Sequence, residues 1–145
     1  MKLYKNTLLT ITMMFGLLVS TNVFSQTQSF RCNFSDGLVT NWDSGKPSSK
    51  RMSDMNELVF DQLDTKKGTG RMIGNVGSEN VQVLVGDGNS IHIIERTPSG
   101  NMNITTVFNP QRKNSNEYPI VHSRHLNLNG GPLTSQYVGL CKKLN

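Results

Sequence analysis

Nothing in this chain is long and apolar enough to cross a membrane as a helix, and only two of its 145 residues are cysteines and one is tryptophan. The longest apolar run, Leu8 to Val19, is about a dozen residues, where a spanning helix needs roughly 20. Beyond it, no stretch carries a sustained 3.6-residue period, which argues against a helical domain. There is no internal repeat, low-complexity tract or linker, so solenoids and tethered modules are excluded. No Gly-x-Ser-x-Gly elbow occurs, which removes the commonest sequence sign of a serine hydrolase. Gly68-Thr-Gly70-Arg-Met-Ile-Gly74 lacks the dinucleotide spacing and opens no helix, so it reads as turn plus strand. Asp87-Gly-Asn89-Ser90 starts like a calcium loop but lacks the later Gly and the closing Glu.

The front end carries a pattern of its own. Lys2 and Lys5 precede the apolar run, and Val23 and Ser25 stand three and one residues before a cut placed after Ser25. Basic start, short apolar run and small residues make a signal peptide. Residues 1–25 are expected to be removed, leaving 26–145 as one domain of 120 residues in the periplasm or outside the cell. A chain of that size can hold one core. With Lys2 and Lys5 gone, 13 basic residues face 10 acidic ones, a net charge of +3. The basic residues come as scattered pairs: Lys50-Arg51, Lys66-Lys67, Arg112-Lys113 and Lys142-Lys143. Nucleic-acid binding needs a concentrated stripe with stacking aromatics, so no nucleic-acid partner is expected. No stable membrane insertion is expected after cleavage, and the domain is expected to be a monomer.

Two cysteines in an exported chain leave one intramolecular pairing, Cys32 with Cys141. The bond closes nearly the whole domain, and a disulfide requires Cα atoms within about 7 Å. The first and last strands must then be neighbours. That closes the sheet on itself or joins two sheets at an edge.

Period-two alternation marks the strands. Phe30, Cys32 and Phe34 share a face, and Leu38 to Trp42 is a second short strand. Asp43 to Asp54 is polar and reads as the longest loop. Further strands are expected over 55–63, 70–75, 81–85, 91–94, 102–108, 118–128 and 135–141. Asp87-Gly88 between alternating Val and Ile runs marks a hairpin. On 102–108, Met102, Ile104, Thr106 and Phe108 share a face. The expected fold is all-β: a small antiparallel closed barrel of about eight strands in a calycin-like meander, or a sandwich, with first and last strands adjacent.

This plan resembles the calycin class of small barrels, which includes lipocalin-like carriers, and the resemblance implies a ligand held inside the barrel. The lipocalin Gly-x-Trp signature is absent, since Gly37 stands five before Trp42. The plan is also similar to the bacterial periplasmic lysozyme inhibitors, small barrels with one Cys in the first strand and one at the last, as Cys32 and Cys141 are here. Ser99-Gly100 matches their Ser-Gly loop, and this second resemblance implies a secreted hydrolase as partner.

The candidate site residues follow from loops, where function usually rides. Trp42 sits where a strand meets the 43–54 loop, either plugging one end of the barrel or touching a ligand at its mouth. Lys46, Lys50 and Arg51 belong to that loop, and Arg112 and Lys113 to the loop 109–117. Small residues at Gly70, Gly74 and Thr106 would leave interior space. His122 and His125, three apart, fall on opposite faces of a strand, so a metal site would need His92 or a carboxylate from elsewhere. No catalytic residue, cofactor or metal is expected. The expected function is that of a non-enzymatic binding barrel for a small, apolar ligand. The alternatives are a protein-binding module such as a hydrolase inhibitor, and an enzyme with a site assembled across strands.

Overall fold

The computed structural model describes residues 27–144 except Asp54; the expected signal segment 1–25 lies outside them. The described residues form nine antiparallel strands: β1 (Gln28–Asp43), β2 (Lys46–Arg51), β3 (Leu58–Asp64), β4 (Thr69–Gly74), β5 (Gly77–Val85), β6 (Ile91–Arg96), β7 (Met102–Val107), β8 (Glu117–Leu128) and β9 (Gly131–Leu144). They follow a meander order, β2-β1-β3-β4-β5-β6-β7-β8-β9, and β1 also pairs with β9. That last pairing closes an eight-stranded barrel from β1 and β3–β9. Strand β2 is extra, laid against the far half of β1 from Leu38 to Asp43.

Closure rests on the pairing of the two ends. Cys32 and Cys141 are direct register partners, joined as a disulfide with Cα atoms 3.9 Å apart. The sheet bends where the ladder slips, between Gln28 and Phe30, between Phe34 and Asp36, and between Asp61 and Asp64. Such bulges increase local curvature, which a small barrel requires. At the last of them Gln62 takes φ +52°, and the β3–β4 turn is fastened by Asp64, whose buried carboxylate accepts the N–H groups of Lys66 and Lys67, both at 2.9 Å.

Two expected strands, 29–34 and 38–42, are one continuous β1. Most of the polar segment 43–54, residues 43–51, is not a loop. It is a turn followed by β2, every residue of which is exposed. Every side chain of β2 meets water, so no apolar alternation marks it; its backbone is satisfied by the ladder to β1. The Asp87-Gly88 hairpin is present with a 3₁₀ turn over Asp87–Asn89, in which Gly88 has φ +62°.

Inward side chains divide into two storeys. The end closed by the disulfide holds Phe30, Phe60, Leu63, Val83, Ile93 and Ile120, all essentially buried, with Val107 and Ile91 beside them. Burying each of these large groups contributes about 1.5–3 kcal/mol. Phe30 meets Tyr118 edge to face at 5.1 Å between centroids. Space expected around Gly70 is taken: a Cβ there would come 2.5 Å from Leu63 Cδ2. Thr106 faces outward and hydrogen-bonds His92 Nδ1 at 2.9 Å. The other end of the barrel is built differently.

Candidate functional site

The polar storey is the continuation of the same inward faces. On β6 the series Ile91, Ile93 ends in Glu95. On β7 the inward face is Asn103, Thr105, Val107, and on β8 it is Ile120, His122, Arg124. On β9 Ser135 and Tyr137 point in. The face of β7 carrying Met102, Ile104 and Thr106 is the outer one, and Phe108, just past the strand's end, is exposed too. Register then assembles two rows of side chains. Glu95, Asn103, Arg124 and Ser135 are successive partners on β6, β7, β8 and β9. One step toward the closed end, Thr105, His122 and Tyr137 form the second row, with Gly37 of β1 beyond. Gly37 has no side chain because the Tyr137 ring lies over it: a Cβ there would stand 2.3 Å from Tyr137 Cδ1.

Five side chains of these rows form one wall of a cavity of about 320 Å³ that opens to solvent at the barrel mouth. Glu95, Asn103, His122, Arg124 and Tyr137 line it on one side. Met55, Leu58 and Met72 line the other, with Glu57, Asn75 and Thr97 at the rim. Met55 and Glu57 precede β3, and nearby Met52 donates its N–H to the Gly37 carbonyl at 3.0 Å.

The buried polar groups are not all matched. Asn103 donates its amide Nδ2 to Glu95 Oε2, and Thr105 Oγ1 hydrogen-bonds His122 Nδ1 at 2.7 Å. Asn103 Oδ1 and Ser135 Oγ have no partner among the described residues. Glu95 is only 6% exposed, yet no cationic side chain lies within ion-pair distance of it among the described residues. A buried carboxylate without a cation, next to an unpaired amide oxygen, is costly unless something else supplies donors. Burial first, and the nearby Arg124 charge second, push the His122 pKa from 6.5 down to about 4. The imidazole is therefore neutral at physiological pH. Phe34 packs on its ring, 5.9 Å between centroids.

None of the six residues proposed from loops lines this cavity. Trp42 is 37% exposed on the β1–β2 ribbon beyond the mouth, so it does not plug the barrel. The hairpin has no second layer to cover it. Lys46, Lys50 and Arg51 stand on β2 of that ribbon, where Arg51 pairs with Asp36 at 3.1 Å. Arg112 and Lys113 lie in the β7–β8 connection at the closed end, away from the other four. The three histidines also separate: His92 faces outward, His122 inward, and His125 is exposed. No group of three metal-ligating side chains comes together among the described residues.

The polar wall was missed because each residue, taken alone, reads as ordinary strand polarity. The available signal was phase: Glu95, and then His122 and Arg124, sit at the next inward steps after buried Ile93 and Ile120. The same wall presents hydrogen-bonding groups to the cavity, opposite the apolar Met55, Leu58 and Met72. Comparison with known protein families, with curated proteins and with solved structures finds no match to this chain. What defines it is its architecture: a disulfide-closed, eight-stranded antiparallel barrel with an added edge strand and a polar cavity at one end.

Proposed function

We propose that this chain is an exported, non-enzymatic binding protein that takes a small ligand into the open end of its barrel. The observation that carries this reading is the cavity of about 320 Å³ with Asn103 Oδ1 buried and unpartnered in its wall. Ligand sites are concave, largely pre-formed, and combine an apolar lining with a few placed polar groups. Here Met55, Leu58 and Met72 face Glu95, Asn103, His122 and Arg124. The meander plan, like that of lipocalin-like carriers, suits such a role. The disulfide accords with an oxidising compartment, and export with residues 1–25 as a signal peptide belongs to the same proposal.

Catalysis fits the site less well. His122 meets a hydroxyl, but Thr105 is almost fully buried, and a base with a pKa of about 4 takes protons weakly at neutral pH. A protein partner remains the second reading, favoured by the protruding ribbon that carries Trp42, Lys46, Lys50 and Arg51 in exposed positions. Lys and Pro on β2 also serve as ordinary protection of a free sheet edge.

Amide and side-chain NMR shifts, followed as a library of small polar compounds is added, test the proposal. Saturable shifts at Asn103, His122 and Met72 are expected. Shifts confined to the 38–51 ribbon, with none at the mouth, would overturn it in favour of the second reading.

A further inference from the structure

Resting on the ligand-carrier reading, we propose that the mouth cavity is built for a small zwitterion, a free α-amino acid with an apolar side chain. Its ammonium would be held by Glu95 and Asn103 and its carboxylate by Arg124.

The argument begins with the row of register partners. Glu95, Asn103 and Arg124 lie on three successive strands at one level of the barrel, all three lining the cavity. The row is acceptor at one end and donor at the other. Glu95 is 6% exposed and has no cation against it among the described residues. Asn103, 8% exposed, spends its amide N–H on Glu95, which leaves Oδ1 as an unpaired acceptor. A buried carboxylate and an unpaired amide oxygen on the neighbouring strand call for a ligand with several N–H donors and a positive charge, which is what an ammonium has. Arg124 makes no ion pair among the described residues and offers a planar fork suited to a carboxylate.

The spacing selects the ligand. Strands two apart are separated by about 9.5 Å. An α-amino acid holds its ammonium nitrogen and nearest carboxylate oxygen about 3 Å apart, and charge-assisted hydrogen bonds add about 2.8 Å at each end. The resulting span of about 8–9 Å is comparable with that backbone separation, which puts both charged ends of such a ligand within reach of Glu95 and Arg124. A simple diamine would meet Arg124 with like charge, and a fatty acid would meet Glu95 with like charge. Met55, Leu58 and Met72 on the opposite wall receive an apolar side chain, and the cavity volume of about 320 Å³ admits one amino acid rather than a long peptide.

Isothermal titration calorimetry on the purified protein tests this with four probes: L-leucine, L-methionine, isoamylamine (leucine without its carboxylate) and 4-methylpentanoate (leucine without its amine). Saturable one-to-one binding of at least one amino acid is expected, with both analogues at least ten-fold weaker. Glu95→Gln and Arg124→Met should each weaken the amino acid ten-fold or more, and Arg112→Ala, at the closed end, should leave it unchanged. Failure of both amino acids to bind at millimolar concentration overturns the proposal. So does binding of either analogue as tight as the amino acid, or a well-folded Glu95→Gln that binds as before. If Glu95→Gln fails to fold, the analogues on the unaltered protein still decide. The NMR library separates the two readings: shifts at Asn103 and His122 from other compounds would leave a small-ligand site of a different class.

Discussion

The two storeys of this barrel use the same strands and the same alternation, and they solve opposite problems. At the disulfide end, inward Phe30, Phe60, Leu63, Val83, Ile93 and Ile120 exclude water and are packed without space, down to Gly70 yielding to Leu63. At the mouth, the next inward steps are Glu95, Asn103, Thr105, His122, Arg124 and Tyr137, and the space between them stays open. One end holds the fold; the other keeps polar groups buried at a cost in stability. A protein marginally stable by about 5–15 kcal/mol can carry such a wall only because the far end is tightly packed and cross-linked.

That contrast can be broken most forcefully at the closed end. Replacing both Cys32 and Cys141 with Ala opens a link spanning 109 residues, and urea unfolding should register a loss on the order of 4–5 kcal/mol. A loss under about 1 kcal/mol would mean that strand pairing alone closes the sheet. Phe60→Ala, at a fully buried position, should cost about 3–5 kcal/mol by the same measurement. Retained stability there would show that the packed storey is not where the fold is held.

The mouth should respond to pH instead. The folded protein holds His122 neutral down to about pH 4, whereas the unfolded chain protonates it near 6.5. The unfolded state therefore binds the extra proton between those values, and stability contributed by the neutral ring is complete above pH 6.5 and lost as pH falls toward 4. The loss is about 3 kcal/mol. Denaturant midpoints measured across that range should show the slope, and His122→Gln should flatten it; an identical slope in the variant would assign the effect to other groups. The smallest effect belongs to Ser135→Ala. Its hydroxyl is buried without a partner among the described residues, so its removal should be neutral or raise stability by up to about 1 kcal/mol. A loss above about 1 kcal/mol would reveal a bond that the hydroxyl makes.

Much of the closed end was legible in the sequence. Phe30, Cys32 and Phe34 were expected on one face, and all three turn inward. Val81, Val83, Ile91 and Ile93 behave likewise, because burial on one side and water on the other is what writes a period of two. Strand β2 was read as a loop because every one of its residues meets water and nothing there selects apolar residues. On β7 the more apolar face, carrying Met102, Ile104 and Thr106, is the outer one. Its inner face carries Asn103 and Thr105, where a polar cavity displaced the usual alternation.

By itself the chain determined that it is all-β and that its ends meet. Two cysteines permit one pairing, and a disulfide's short reach turns that pairing into a neighbouring of first and last strands, realised as Cys32 opposite Cys141. What only the tertiary structure decided is which polar residues stand together. Glu95, Asn103, Arg124 and Ser135 come from four strands, the first and last of them 40 residues apart in the chain. Their meeting depends on the register of three ladders, and register is a property of the whole closed sheet: a one-residue slip would turn each of them out to solvent.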